Sequence, residues 1–193
     1  MNIKHTRKDV LDAGEKVLRS QGYGETSLAD IIATSGIPKG SFYNYFSSKD
    51  AFVSEVMDLY SQRLGRFIDN YLDDKNYTPY NRLENMYRSL IDINNAESYS
   101  KGCLVGNMMN EVAGRSERMA EDSLKQYNEW IDKITDCISE GQAQGEIIKD
   151  VEARDLANYI HGGFFGALSL MKSFRSDYPL SNWFSLTLKV IHQ

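Results

Sequence analysis

Residues 26–52 of this 193-residue chain read TSLADIIATSGIPKGSFYNYFSSKDAF, and the fold turns on how that stretch divides. Leu28, Ile31 and Ile32 share one face of a short helix that either Thr26 or Ser27 can cap. Gly36 offers the positive φ that a tight turn needs. Pro38 suits the first turn of a third short helix, running to about Tyr45, because its missing amide would have no partner there. Two short helices joined by a glycine-containing turn, centred on Ala33 to Phe46, form the arrangement that lays a recognition helix in the DNA major groove. With Ile31, Ile37, Phe42 and Phe46 turned inward, Lys39, Gly40, Ser41, Tyr43, Asn44 and Tyr45 remain around the outward surface of the third helix.

Helical spacing continues on both sides of this stretch. Val10, Ala13, Gly14, Val17 and Leu18 mark a first helix over about residues 7–21 that stops at Gly22. Ser47 or Ser48 caps a fourth helix carrying Val53, Val56, Met57, Tyr60, Leu64, Phe67, Ile68 and Tyr71 to about Leu72. Further helices are predicted at about 79–96, 102–113, 117–144 and 152–175, with a last one from about 181. Only three prolines interrupt the chain. The fold class is therefore all-α, with a helix-turn-helix domain at 1–48 and a larger helical domain at 49–193.

Hydrophobic residues make up 41% and charged residues 25%, ordinary values for a globular protein, and no apolar run approaches the roughly 20 residues that cross a bilayer. The polar start, Met1 to Asp9, lacks the apolar core of a signal peptide, so a cytoplasmic location and no membrane partner are expected. The net charge of −5 hides an asymmetry. Residues 1–49 carry seven Lys or Arg against five acids, whereas the remainder carries fifteen against twenty-two. A basic end on an acidic body fits a module that faces nucleic acid.

Phosphate contacts give affinity and position, and base-edge contacts give sequence preference. Thr26 or Ser27 at a helix start, the Tyr43 and Tyr45 hydroxyls and Lys49 are candidates for phosphates. Lys39, Ser41 and Asn44 are candidates for bases, since Lys suits guanine acceptors and Asn pairs with adenine. Gly40 permits close approach to the groove. The alternative for Tyr43 and Tyr45 is packing, and for Lys49 an ordinary solvated lysine.

From Thr26 to Phe52 the chain resembles the TetR family of transcriptional regulators, from the family's second helix into its fourth. Ile32 and Ser35 depart from it, standing where that family usually has alanine. The resemblance implies a repressor that binds double-stranded operator DNA as a homodimer and is controlled by a small ligand. It calls for no cofactor and no metal.

Gly162 and Gly166 lie one helical turn apart, continued by Ser169, with Gly163 and Ala167 beside them. Such small residues let two helices approach, and Phe164, Phe165, Leu168, Trp183, Phe184, Leu186 and Leu188 are candidates to complete a dimer bundle; close packing within one subunit is the alternative. Met86, Tyr87, Met108, Met109, Tyr127, Trp130, Tyr159 and Phe164 suit either a pocket for an organic ligand or plain core.

Cys103 falls at the expected start of a helix in the segment Lys101 to Asn107, where free amides, the helix dipole and Lys101 favour a thiolate. This predicts a thiol of lowered pKa that reacts with electrophiles or oxidants. The Gly-Cys-Leu sequence resembles a TetR subgroup that includes the N-ethylmaleimide reductase repressor, which responds to electrophiles through a cysteine. Asn107, His161 and Lys172 are placed with Cys103 in the candidate effector site, and Cys137 is expected to be buried and inert. Two other readings stay open: a small thiol-dependent enzyme using Cys103 with His161, and an activator in place of a repressor. No metal-spaced His/Cys set or phosphate-binding glycine loop supports an enzyme, and His5, His161 and His192 are scattered.

Overall fold

Thr6 opens the first helix with a reciprocal cap: the Asp9 amide donates to the Thr6 hydroxyl and the Thr6 amide to the Asp9 carboxylate, at 3.3 and 2.7 Å. The computed structural model describes residues 6–114 and 116–193; Lys4 and His5 lie outside them. Nine helices are present among the described residues: α1 Arg7–Glu25, α2 Leu28–Ser35, α3 Lys39–Tyr45, α4 Lys49–Leu72, α5 Pro79–Ala96, α6 Leu104–Val112, α7 Glu117–Gln144, α8 Ala153–Phe174 and α9 Tyr178–Ile191. The only β pairing found there is one isolated bridge, Ile147 with His192. The all-α expectation holds.

Three boundaries differ from the sequence reading. α1 continues to Glu25 across a break at Gly22, whose φ of 79° is left-handed. Pro38 occupies the cap position before α3, in extended conformation, and its carbonyl accepts from the Ser41 amide at 2.9 Å. α9 starts at Tyr178 because Pro179 sits in its first turn, where no amide is missed.

Packing divides the chain into two compact units: 1–63 with 103–126, and 64–102 with 127–193. The first has a continuous core in which Val10, Leu18, Ile31, Phe42, Phe46, Phe52, Val56 and Met57 join Leu104, Met108 and Met119. Phe42, Phe46 and Phe52 pack tilted or edge-on at ring distances of 4.9–5.4 Å, and Gly14 leaves room for the Phe52 ring, which a Cβ there would meet. α7 joins this unit polar group to polar group: Gln126 donates to Asp58 and Ser54 to Asp122, at 2.8 and 3.1 Å.

The second unit is built on Leu83, Met86, Tyr87, Trp130, Ile134, Ile160, Phe164 and Met171, all buried. Arg82, 2% exposed, caps the end of α4 by donating to the Leu72 carbonyl at 2.6 Å and pairs with Glu140 at 2.6 Å. The C-terminus is tied down by Gln193 and Ile148 amides donating to the Glu146 and Ile191 carbonyls.

Candidate nucleic-acid interface

The turn between α2 and α3 is fixed from both ends. Ser27, not Thr26, caps α2: the Asp30 amide donates to its hydroxyl and its own amide donates to Asp30, at 3.2 and 2.8 Å. The Ser27 hydroxyl also donates to the Asp30 carboxylate, and that bond, ahead of the one from the Ser27 amide, holds the Asp30 carboxyl below its ordinary pKa. Gly36 closes α2 in left-handed conformation (φ 70°), its amide donating to the Ile32 carbonyl at 2.9 Å. Ser35, at a position where alanine is usual in the resembling family, is buried and spends its hydroxyl on the Ile31 carbonyl at 2.7 Å.

α3 stands on an aromatic floor. Phe42 and Phe46 are buried in it, while Lys39, Gly40, Tyr43 and Asn44 are exposed and Ser41 and Tyr45 half-buried. Tyr43 is 55% exposed, and its ring meets that of Phe42 edge-on at 5.6 Å. A Cβ at Gly40 would meet nothing within 4 Å, so this residue thins the surface without serving a packing contact.

Two residues expected at phosphates are engaged inside the unit. Thr26 is buried and its hydroxyl donates to the Gly22 carbonyl. Lys49 is half-buried, donates from Nζ to the Tyr23 carbonyl at 2.8 Å and lies 4.1 Å from the Tyr23 ring centre. Desolvation lowers its pKa, against the opposing pull of Asp50 and Glu111. Tyr23 in turn donates its hydroxyl to Asp50, and burial with that bond raises its pKa to about 12.

In the same unit Cys103 caps the start of α6, where its carbonyl accepts from the Asn107 amide at 2.9 Å. The expected low pKa is reversed. Burial dominates and raises the thiol, while the Gly106 amide, the Tyr60 hydroxyl, the Val105 amide and the Arg19 charge pull the other way. Lys101, offered as the thiol's cation, reaches Glu97 instead, at 3.3 Å. Tyr60 lies under the Arg19 guanidinium, 5.8 Å from its carbon. No sequence spacing announces Tyr60 or Arg19 as neighbours of Cys103; only the packing of α1, α4 and α6 does.

Residues 10–56 match the profile "Bacterial regulatory proteins, tetR family". Residues 79–184, more than half the chain, match "Tetracyclin repressor-like, C-terminal domain". The HTH-type transcriptional repressor DhaR of Mycobacterium sp. (strain GP1) is 31% identical over 185 residues, 96% of this chain and 91% of DhaR. The chain belongs to the TetR family.

The HTH-type transcriptional repressor NemR of Escherichia coli (strain K12) is 27% identical to this TetR-family chain, over 92% of it and 89% of NemR. The crystal structure of regulatory protein TetR from Rhodobacter sphaeroides superimposes with a TM-score of 0.91 at 25% identity, covering 95% and 97% of the two chains. The protein is thus a DNA-binding transcriptional regulator carrying the TetR helix-turn-helix.

The second unit of this TetR regulator gathers His161, Tyr127 and Trp130 but redistributes other expectations. His161 is buried among rings, with Phe165, Tyr127, Phe164, Tyr87 and Trp130 centred 4.8–6.2 Å away. Its Nδ1 shares a hydrogen bond with the Tyr87 hydroxyl at 3.1 Å, and burial drops its pKa to about 4, so it is neutral at pH 7. Met86 is fully buried core and Met108 belongs to the first unit's core. Lys172 is half-buried on α8, and Tyr159 is exposed and cannot line an interior pocket.

The dimer candidates also separate. Gly162 and Gly166 are exposed with open space at their Cβ positions. Gly163, by contrast, is small because Trp183 of α9 packs on it within the chain: a Cβ there would lie 2.6 Å from the indole nitrogen. Phe164 and Leu168 are buried and form no outer apolar face, while Phe165 is half-buried and tilts against the His161 ring. That face comes instead from Tyr159, Leu170, Phe174, Tyr178, Leu186 and Val190, around an open groove of about 430 Å³. The spacing 170/174 and 186/190 was the available signal, an apolar pair one turn apart on each helix. Cys137 is buried as expected, its thiol donating to the Pro79 carbonyl and pushed to about 12 by burial.

Proposed function

We propose that the protein is a homodimeric repressor that grips a palindromic operator through residues 1–48 and is released when a small ligand or thiol modification acts on residues 49–193. The observation that carries the DNA reading is α3 itself: Lys39, Gly40, Tyr43 and Asn44 exposed on one surface above a rigid aromatic core. Lys39, Ser41 and Asn44 read bases, and Tyr43, Tyr45 and the Ser27 helix start contact phosphates. Lys49 and Thr26 serve by holding the frame, given their internal partners.

Dimerisation runs through α8 and α9, with Gly162 and Gly166 admitting the partner helix and the exposed apolar residues filling the interface. Effector control is offered to two regions, each within one unit: Cys103 with Asn107 in the first, and Met86, Tyr127, Trp130, His161 and Lys172 in the second. The names of the relatives DhaR and NemR, both transcriptional repressors, support repression over activation. Its place of action is the cytoplasm.

A duplex selected by the wild-type chain from a random pool provides the test. Treatment with N-ethylmaleimide, followed by mapping of the adduct, is expected to label Cys103 and to weaken binding at least tenfold, while Cys103→Ser binds but does not release. Labelling of Cys137 first, or release that survives Cys103→Ser, rejects the sensor role. Transcription from a promoter placed over the selected duplex falls on addition of protein if the sign is repression and rises if it is activation.

A further inference from the structure

We propose that Glu111 is a positioning residue for operator binding, pinning α6 to the corner of the chain from which the helix-turn-helix departs. The left-handed Gly22 interrupts α1, so the amides just after it have lost the carbonyls one turn earlier that a continuous helix would offer. Glu111 of α6 supplies the missing acceptor: one carboxylate oxygen accepts from the Tyr23 amide at 2.7 Å and from the Gly24 amide at 3.3 Å. This is an N-cap delivered by a different helix, 88 residues away in sequence.

The neighbouring groups show that the corner is held from several sides. A Cβ at Gly22 would fall 2.4 Å from the Glu111 carboxylate, so glycine serves both the backbone conformation and the approach of that side chain. The Tyr23 carbonyl accepts from Lys49 of α4 at 2.8 Å. Two residues after Gly24, Thr26 returns its hydroxyl to the Gly22 carbonyl, and Ser27 then caps α2. Whatever sets Tyr23 and Gly24 therefore sets the entry of α2 and, through the Gly36 turn, the placement of α3.

Cys103 is the cap residue just before α6. Eight residues of helix, about 12 Å at 1.5 Å per residue, separate that cap from Glu111, and a helix carries displacement at one end to the other with little loss. The inference rests on DNA binding by α2 and α3 and is independent of whether Cys103 is a sensor.

The test uses the full chain and the duplex that the wild type selects from a random pool, measured by anisotropy over a range of salt, with amide exchange followed in parallel. Glu111→Ala is expected to weaken binding about tenfold and to speed exchange at Tyr23 and Gly24, with protection elsewhere in the first unit kept. The slope of log affinity on log salt stays that of the wild type, because Glu111 touches no phosphate. Glu111→Gln, which keeps a carbonyl acceptor for the two amides, recovers most of the affinity. Wild-type affinity in Glu111→Ala overturns the proposal, as does a loss that Glu111→Gln fails to recover or that comes with exchange raised across the whole unit. A wild-type chain that selects no duplex overturns both this inference and the DNA-binding reading beneath it.

Discussion

At Cys103 two electrostatic effects oppose one another on a single sulfur. Helix amides and the Tyr60 hydroxyl stabilise a thiolate, burial penalises it, and burial wins. Alkylation of Cys103 by N-ethylmaleimide is therefore slow at pH 7 and keeps accelerating as pH rises past the ordinary thiol range, and Tyr60→Phe, which loses a hydrogen bond to the thiolate, slows it further. Cys137 lags behind, with its pKa near 12. Timed mass spectrometry checks all three statements. His161 gives a second residue-scale expectation. Its folded pKa, about 4, lies below the ordinary histidine value, so the unfolded chain takes up the proton first. The stability it contributes is complete above about pH 6.5 and is lost as pH falls toward 4. Over that interval roughly 3 kcal/mol is at stake, and a melting series should show His161→Phe with a flatter acid limb. The position of Cys103 at a helix start was legible in sequence, because a Gly-Cys-Leu segment beside an apolar periodicity fixes the cap. Its protonation was not, since burial is set by α1 and α4 arriving from far away in the chain.

Among the elements, α2, α4, α5, α7 and α8 lie close to their expected ends because Ser27, Gly36 and Pro79 act locally, whereas Pro38 caps α3 from outside it and α6 starts later than its spacing predicted. What local chemistry missed are bonds made between elements. Thr26 and Ser27 are equal as caps on paper; the break at Gly22 draws the Thr26 hydroxyl backwards and leaves Ser27 to α2. Arg82 is the strongest case. It lies on the apolar side of α5, where periodicity predicts an aliphatic residue, and it is kept there by the Leu72 carbonyl and Glu140. Glu140, held to about 2 chiefly by Arg82 and then Lys75, remains one-third exposed (34%) and keeps Lys75 when Arg82 is removed. Arg82→Met should therefore cost roughly 2 kcal/mol, below the 3–5 typical of a fully buried pair. Calorimetry should record a Tm lower by roughly 4–8 °C.

On the scale of the whole molecule, α8 and α9 expose Tyr159, Leu170, Phe174, Tyr178, Leu186 and Val190, the face that the proposed dimer covers. Leu170→Glu combined with Leu186→Glu places a charge on each helix of that face and should yield monomers in sedimentation velocity with the helix content intact. Binding to a palindrome would then fall to that of a single half-site. The small residues and apolar content of the two helices pointed to this surface but not to its full membership: Phe164 is buried beside His161, while Trp183 both packs on Gly163 and lines the groove. Charge carries a similar lesson, for the net charge of −5 hides a first 49 residues with seven Lys or Arg against five acids, the end that the proposed mode turns toward DNA.

The central claim is that α3 reads base edges, and it is tested most directly by discrimination. The affinity ratio between the selected palindrome and a scrambled duplex of equal length is measured at one salt concentration for the wild type and for Ser41→Ala with Asn44→Ala. Both substitutions leave the charge unchanged, so phosphate attraction is untouched. The account predicts that the ratio falls about a hundredfold, within the range expected for losing polar base contacts, while affinity for the scrambled duplex stays the same. An unchanged ratio, or an equal loss on both duplexes, would contradict it.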